Sequence, residues 1–171
     1  MEKTINLIEI TQPIGTFYVG KMNSEDLIKS FYVRSRIDGD GIQRLSSRKR
    51  VDEIAAYCKD PDAAFPTPII LSVDSSKCKF GKNSSTSTVI FENSEEVFEI
   101  IDGQHRVKGI KQAQHSFGFK CELLVVFMFD LTEEEKAYIF STINSNQAKV
   151  DKSLIYDLFE LSTERSPLKT C

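Results

Sequence analysis

Seven consecutive residues, Leu123-Leu124-Val125-Val126-Phe127-Met128-Phe129, are apolar without interruption. The run is far too short to cross a membrane as a helix, and its valines and phenylalanines favour extended backbone. An unbroken apolar strand has no face to give to water, so it belongs at the centre of a sheet covered on both sides. That requirement limits the architectures open to the chain, because the covering layers must come from the segments around it.

Those segments alternate between helical and extended patterns. Ile14 to Met22 reads as a strand bounded by Pro13 and Asn23-Ser24. Asn23 or Ser24 then caps a short helix that turns Leu27 and Ile28 inward, before Phe31, Tyr32 and Val33 return to an extended form. Ile37-Asp38-Gly39-Asp40-Gly41 is turn chemistry. Ser46 or Ser47 is placed to cap a helix running to about Lys59, since Val51, Ile54, Ala55 and Cys58 recur on one face. Pro68 to Val73 reads as a buried strand, and residues 74–87 as a solvated excursion or hairpin rim. Val89-Ile90-Phe91 and Val97 to Ile101 are expected to pair as a hairpin. A helix follows Asp102-Gly103 to about Ser116, with Val107, Ile110 and Ala113 on one side. Thr132 and Glu135 have capping-box spacing and open a helix through Tyr138, Phe140 and Ile143. A last helix begins near Ser153 with the stripe Leu154, Ile155, Leu158, Phe159. The class expected is mixed α/β, a sheet layered with helices.

The 171 residues suffice for one core burying about 70% of the unfolded surface, without metal or disulfide. Cys58, Cys78, Cys121 and Cys171 show no C-x-x-C spacing and no histidine at ligand spacing, so free thiols and no metal site are expected. With no long apolar segment, the expected compartment is the cytoplasm. The net charge of −3 argues against coating nucleic acid with the whole surface. The charge is segregated, however. Residues 34–50 carry Arg34, Arg36, Arg44, Arg48, Lys49 and Arg50 against Asp38 and Asp40, a local excess of +4 that leaves −7 for the rest. Such a run is the ordinary composition of a solvated helix face, and equally of a salt-sensitive contact to nucleic-acid phosphates. The segment after residue 150 ends on an apolar stripe with nothing evident to pack against, so residues 1–150 are expected to form one domain and 151–171 the start of a helical region that continues in a longer protein.

The chemistry is expected where Ile100-Ile101 turns at Asp102-Gly103 and opens directly into a helix at Gln104-His105-Arg106. The first amides of a helix lack intrahelical acceptors, and the macrodipole puts partial positive charge there, so the junction can receive an anion. Gly103 lets oxygens approach the backbone, Arg106 can grip phosphate through parallel hydrogen bonds, and Asp102 can cap the helix or orient a metal-bound phosphate. The bland alternative is a common Asp-Gly turn with a solvated arginine. No G-x-x-x-x-G-K-[ST] occurs, and Gly39-Asp40-Gly41-Ile42-Gln43-Arg44 fails G-x-G-x-x-G at its last position, so P-loop and Rossmann sites are excluded.

Ile101-Asp102-Gly103-Gln104-His105-Arg106 resembles the signature of DGQHR-domain proteins, and three further blocks agree in order. Ile42-Gln43-Arg44 with Arg50-Val51 and Ile54-Ala55 resembles the family's upstream helix, and Phe65-Pro66 before Ile69-Ile70-Leu71 resembles its next strand. Phe140 through Ile143-Asn144, Gln147, Val150 and Ser153-Leu154 resembles the block after the motif. The family is similar to DndB, associated with DNA phosphorothioation, and to relatives in 7-deazaguanine DNA-modification clusters. More distantly it resembles the ParB and sulfiredoxin superfamily, a small sheet flanked by helices. Sulfiredoxins carry Gly-Gly-Cys-His-Arg at the corresponding turn. Here Gln104 stands where that cysteine would be, while His105 and Arg106 remain, which implies phosphate binding without thiol chemistry.

The resemblance implies binding of a nucleoside triphosphate, ATP, GTP or CTP, with Mg possible. The contacts would be Gln43, Arg44, Gly103, Gln104, His105 and Arg106, while Asn144 and Gln147, polar residues after the capped helix, serve either as further ligand contacts or as helix-end hydrogen-bonding groups. Asp102, His105 and Arg106 would serve any slow hydrolysis, and Arg48, Lys49 and Arg50 would reach DNA. Other DNA-modification proteins are the remaining partners implied. The alternative is a nucleotide-independent DNA-binding transcriptional regulator of a modification cluster. A nuclease is disfavoured by two histidines and no ordered carboxylate cluster.

Overall fold

Eight strands form one mixed sheet in a computed structural model that describes residues 1–34, 47–82, 86–93 and 96–145. The chain divides into two units, Met1–Phe140 and Ser141–Cys171. In the first unit the strands are β1 Glu2–Gln12, β2 Gly15–Asn23, β3 Phe31–Tyr32, β4 Ile69–Val73, β5 Cys78–Lys82, β6 Ser87–Glu92, β7 Phe98–Asp102 and β8 Glu122–Phe129. Their order across the sheet is β3-β7-β4-β8-β2-β1-β6-β5. Two pairs, β3 with β7 and β4 with β8, are parallel, and the others are antiparallel. The helices are α1 Ser24–Ser30, α2 Arg48–Tyr57, α3 Gln104–Phe117 and α4 Glu133–Ser145.

The apolar run forms β8, near the middle between β4 and β2, as its composition requires. Cover on both faces holds from Val125 to Met128, whereas Leu124 is exposed. One face packs Leu71, Val73, Phe98, Ile100, Val125 and Phe127 against α1, α2 and α3 through Leu27, Ala55, Val107 and Ile110. Residues of opposite parity, Glu99 and Ile101 on β7 and Val126 and Met128 on β8, are buried outside that cluster. Glu99 accepts from Lys136 Nζ at 2.9 Å, which puts the first turns of α4 on the second face.

One sequence expectation is corrected. β6 and β7 do not pair as a hairpin: β6 lies between β1 and β5, and four strands separate it from β7. The N-terminal segment, whose Ile5 and Leu7 are both buried, takes the β6 edge instead, from Glu2↔Glu92 to Leu7↔Ser87. The two strands still meet through their side chains, with Phe91 and Phe98 rings 4.7 Å apart and Phe98 5.5 Å from Phe127, so the sheet curls over a shared core. The polar stretch after Asp74 holds the 3-10 turn Ser75–Lys77 and the largely exposed edge strand β5, which pairs antiparallel with β6 from Cys78↔Phe91 to Lys82↔Ser87, the hairpin rim expected there. On α4 the inward residues are Lys136 and Ile139, while Tyr138 faces out. The box that opens this helix forms as expected, with Thr132 N–H donating to Glu135 Oε2 at 2.8 Å and Glu135 N–H to Thr132 Oγ1 at 3.2 Å.

Helices α2 and α3 pack closely because Gly109 has no side chain. A Cβ there would sit 2.5 Å from Ile54 Cγ2 and 3.0 Å from the Val51 carbonyl oxygen. Gln112 Nε2 adds a hydrogen bond to Asp52 Oδ1 at 3.0 Å. Cys58, Cys78 and Cys121 are free, and burial pushes the Cys58 and Cys78 thiols up to about 11, which keeps them protonated and unreactive at neutral pH. Among the described residues no helix is long and apolar enough to cross a membrane. The expected Gly39–Gly41 loop, the helix near Ser153 and Cys171 lie outside the described residues.

Candidate functional site

β7 ends at Asp102, and α3 begins two residues later at Gln104. Gly103 makes that junction possible. Its φ of 99° lies in the left-handed region that side chains resist, and a Cβ on it would approach Ile69 Cδ1 to 2.5 Å. The Gly103 carbonyl accepts from Val107 N–H at 3.1 Å, which starts the helical ladder. The amides of the first turn precede it, directed out of the helix end, where the macrodipole is positive. Gln104 is buried, while Asp102, Gly103, His105 and Arg106 are half-buried.

The Arg106 guanidinium bends back over the turn. Its Nη1 donates to the carbonyl oxygen and Oγ1 of Thr67, and its Nη2 donates to the Pro68 carbonyl at 2.8 Å and lies 3.6 Å from Asp102 Oδ2. Arg106 therefore fastens the segment leading into β4 against the turn, and Asp102 shares its charge. Burial lowers the Arg106 pKa and Asp102 opposes that. Sequence reading missed these carbonyl partners because main-chain acceptors 38 and 39 residues away leave no mark in side-chain spacing.

His105 Nε2 accepts from Ser47 N–H at 3.0 Å. Ser47 is the residue before α2, so this bond ties the turn to the start of the basic helix. An accepting Nε2 leaves the proton of the neutral ring on Nδ1. Burial holds His105 below its usual pKa of 6.5, Arg50 and Lys108 lower it further, and Asp102 pulls the other way. The structure thus brings the Asp102–Arg106 turn and the Arg48-Lys49-Arg50 block together. All three cations of the block are exposed, and no acid stands in the first turn of α2 to offset them. Lys49 reaches Glu53 only at 3.9 Å, with both side chains largely solvated. Asn144 is an exposed residue of α4 within the second unit. Gln43, Arg44 and Gln147 lie outside the described residues.

A second charged group was not anticipated. Lys136 Nζ donates to Glu99 Oε2 at 2.9 Å and Glu133 Oε1 at 2.8 Å, and Arg34 Nη1 reaches Glu133 Oε1 at 3.2 Å. Glu99 and Lys136 are buried, at 3% and 7% exposure. Burial, the largest effect, opposes the Lys136 charge, but the hydrogen bonds that Lys136 donates to Glu133 and Glu99, together with the charges of those carboxylates, outweigh it and raise the pKa. The signal was a single carboxylate inside the apolar strand Val97-Phe98-Glu99-Ile100-Ile101, which demands a buried partner. The cluster has the character of an internal ion pair joining β7 to α4.

Among the described residues no three His, Cys, Asp or Glu side chains converge as a metal cage. A magnesium ion arriving with phosphates needs only one or two carboxylates from the protein, and Asp102 is the carboxylate at the turn.

The chain matches the family "DndB: DNA-sulfur modification-associated" over residues 6–170. Among solved structures it is similar to the C-terminally truncated chromosome-partitioning protein ParB from Caulobacter crescentus, complexed with CTP-gamma-S. The TM-score is 0.51 and the identity 12%, with 86% of this chain and 66% of that chain covered. At that identity the likeness is one of fold, and this chain spans slightly less than two thirds of the ParB chain's length. No curated protein matches the sequence. Since the family match runs nearly from end to end, the chain belongs to the DndB family of DNA-sulfur modification-associated proteins.

Proposed function

We propose that the chain binds a nucleoside triphosphate at the Asp102–Arg106 turn and uses the adjoining basic helix to contact DNA during DNA modification. The reading is carried by the junction itself. A left-handed glycine, tight against Ile69, lets the strand end and the helix begin within two residues, so the positive end of α3 lies at the turn, where phosphate oxygens are favoured. The solved ParB complex with CTP-gamma-S supports a nucleotide as the ligand of this fold.

The residues divide the work by what they already touch. Arg106 holds the Thr67–Pro68 backbone and positions the turn. His105, with its Nε2 engaged by Ser47, has a proton to offer from Nδ1 and no lone pair for base catalysis, so it acts as a donor to phosphate. Asp102 is the group at the turn that can hold a magnesium–phosphate complex or orient water, and it would serve slow hydrolysis. Phosphates also suit the start of α2. Three cations at the positive end of a helix cost about 0.3–1 kcal/mol each at low salt, and an anionic partner relieves that repulsion.

Calorimetric titration of ATP, GTP and CTP, each with magnesium, tests the reading. Saturable 1:1 heat with at least one is expected, and the absence of heat with all three at millimolar concentration removes it. The second reading, a regulator that binds DNA without nucleotide, draws on the exposed Arg48-Lys49-Arg50 block. It predicts salt-dependent duplex binding that is unchanged by any triphosphate.

A further inference from the structure

The two outer edges of the sheet are guarded. At one end β3 is only two residues long, and at the other β5 exposes Lys79, Gly81 and Lys82. A short strand and exposed lysines are devices that keep a sheet edge from pairing with another chain. A stretch inside the strand order lacks them. β6 accompanies β1 only from Glu2 to Leu7, whereas β2 runs along it as far as Gln12. From Ile8 to Gln12, β1 therefore has β2 on one side and, among the described residues, no strand on the other. This segment, Ile8-Glu9-Ile10-Thr11-Gln12, holds neither lysine nor proline. Its alternate backbone N–H and C=O groups point away from β2.

Exposed apolar residues gather at the same place. Ile8 is 69% exposed, and Ile14, in the turn that follows, is 51% exposed. Ile10, Phe17 and Val19, all half-buried, share a face with Ile8, because Ile10 lies opposite Phe17 and Ile8 opposite Val19. Paired antiparallel about a two-fold axis at Ile10, the segment is its own complement. Ile10 then meets Ile10 of a second copy, Glu9 meets Thr11 and Ile8 meets Gln12, so no like charges stand opposite each other. Glu9, the segment's one charge, is already balanced by Lys82 at 2.5 Å. The Phe17 and Ile10 side chains of the two copies fall into one apolar row across four strands.

We propose that this edge of β1 joins a second copy of the chain, the two sheets becoming continuous through an isologous antiparallel pair centred on Ile10. Five paired residues bury well under the about 1,200–2,000 Å² of a stable interface, so the dimer is reversible and depends on concentration. The pairing is independent of the triphosphate and DNA contacts proposed above.

Sedimentation equilibrium of the chain from micromolar to near-millimolar concentration should show its mass rising from one chain to two. Thr11→Lys and Thr11→Glu, at an exposed position, then read the register. The lysine faces the second copy's Glu9 twice per dimer and should tighten association about threefold, and the glutamate should weaken it by a similar factor. Ile10→Lys sets two ammonium groups against each other on the axis and should abolish the dimer while circular dichroism stays native. With oxidised glutathione, Ile10→Cys should give a covalent dimer faster than Lys79→Cys on the guarded edge, since paired strands bring opposed Cα atoms to about 4.5–5.5 Å. A single-chain mass at every concentration overturns the proposal. So does a dimer that survives Ile10→Lys, one that responds alike to both Thr11 variants or to neither, or equal crosslinking at positions 10 and 79.

Discussion

Replacing Gly103 by alanine should be among the most damaging one-methyl changes available to this chain, and its cost can be built from two terms. The first is conformational: a φ of 99° is left-handed, and an L side chain pays about 1–2 kcal/mol to hold such a backbone. The second is steric. The added Cβ would sit 2.5 Å from Ile69 Cδ1, and Ile69 is fully buried, so it must move about 1 Å within a packed core. Overpacking of this kind costs about 1–3 kcal/mol. The sum is about 2–5 kcal/mol, against a total stability of about 5–15 kcal/mol for an ordinary domain. With a urea m-value of about 2 kcal/mol/M, the unfolding midpoint should fall by about 1–2.5 M at unchanged m. Gly118→Ala is the internal control. Its φ is 74° with nothing within 4 Å of the added methyl, so only the conformational term applies. Ile69→Val in the Gly103→Ala background removes the obstructing Cδ1 and should recover part of the steric term. Equal midpoints for the Gly103 and Gly118 variants would refute the argument that the turn is held by this close contact.

Other outcomes follow from the same geometry. His105 is held below 6.5, so its contribution is present above about pH 6.5 and is lost as pH falls below that value through the lower folded-state pKa. Urea midpoints should therefore drop between pH 7 and 5.5 more in the wild type than in His105→Gln, and identical profiles would contradict a ring held neutral by burial beside Arg50 and Lys108. Lys136→Met leaves Glu99 buried with only Arg34 Nε, at 3.9 Å, and should cost about 3–5 kcal/mol by chemical denaturation. Adding Glu99→Leu should restore much of the loss, and an additive double variant would deny the pairing. Replacing Arg48, Lys49 and Arg50 together by alanine should leave the fold intact and lower the slope of log affinity for duplex DNA against log salt by about 2–3. An unchanged slope would place the DNA contact elsewhere.

The local structure was more legible in the sequence than the pairing of its strands. The α2 periodicity, the Thr132–Glu135 box, the apolar run of β8 and the abrupt strand-to-helix turn are all set by residues within a few positions of one another, and all take the expected form. Strand partnership is different. Nothing in Val89-Ile90-Phe91 says that Ile5 and Leu7 will reach its edge before Phe98 does, because that choice depends on how the whole sheet closes over Phe91, Phe98 and Phe127. The site divides in the same way. Its residue types and the turn from strand to helix were readable from Asp102-Gly103-Gln104-His105-Arg106, whereas the left-handed backbone of Gly103 and its close contact with Ile69 were not. The attachment of Arg106 to the Thr67 and Pro68 carbonyls and of His105 to the Ser47 amide was not, since main-chain partners carry no side-chain signature.

Backbone amide NMR gives the most direct access to the proposed phosphate cradle. Nucleoside triphosphate, inorganic tripolyphosphate and the bare nucleoside are added in parallel to nitrogen-labelled protein. The account predicts that triphosphate and tripolyphosphate both shift the amides of Gln104, His105 and Arg106 downfield, saturably and in competition, while the nucleoside leaves them in place. Amides that stay unmoved by both polyphosphates, or that respond to the nucleoside alone, would contradict it.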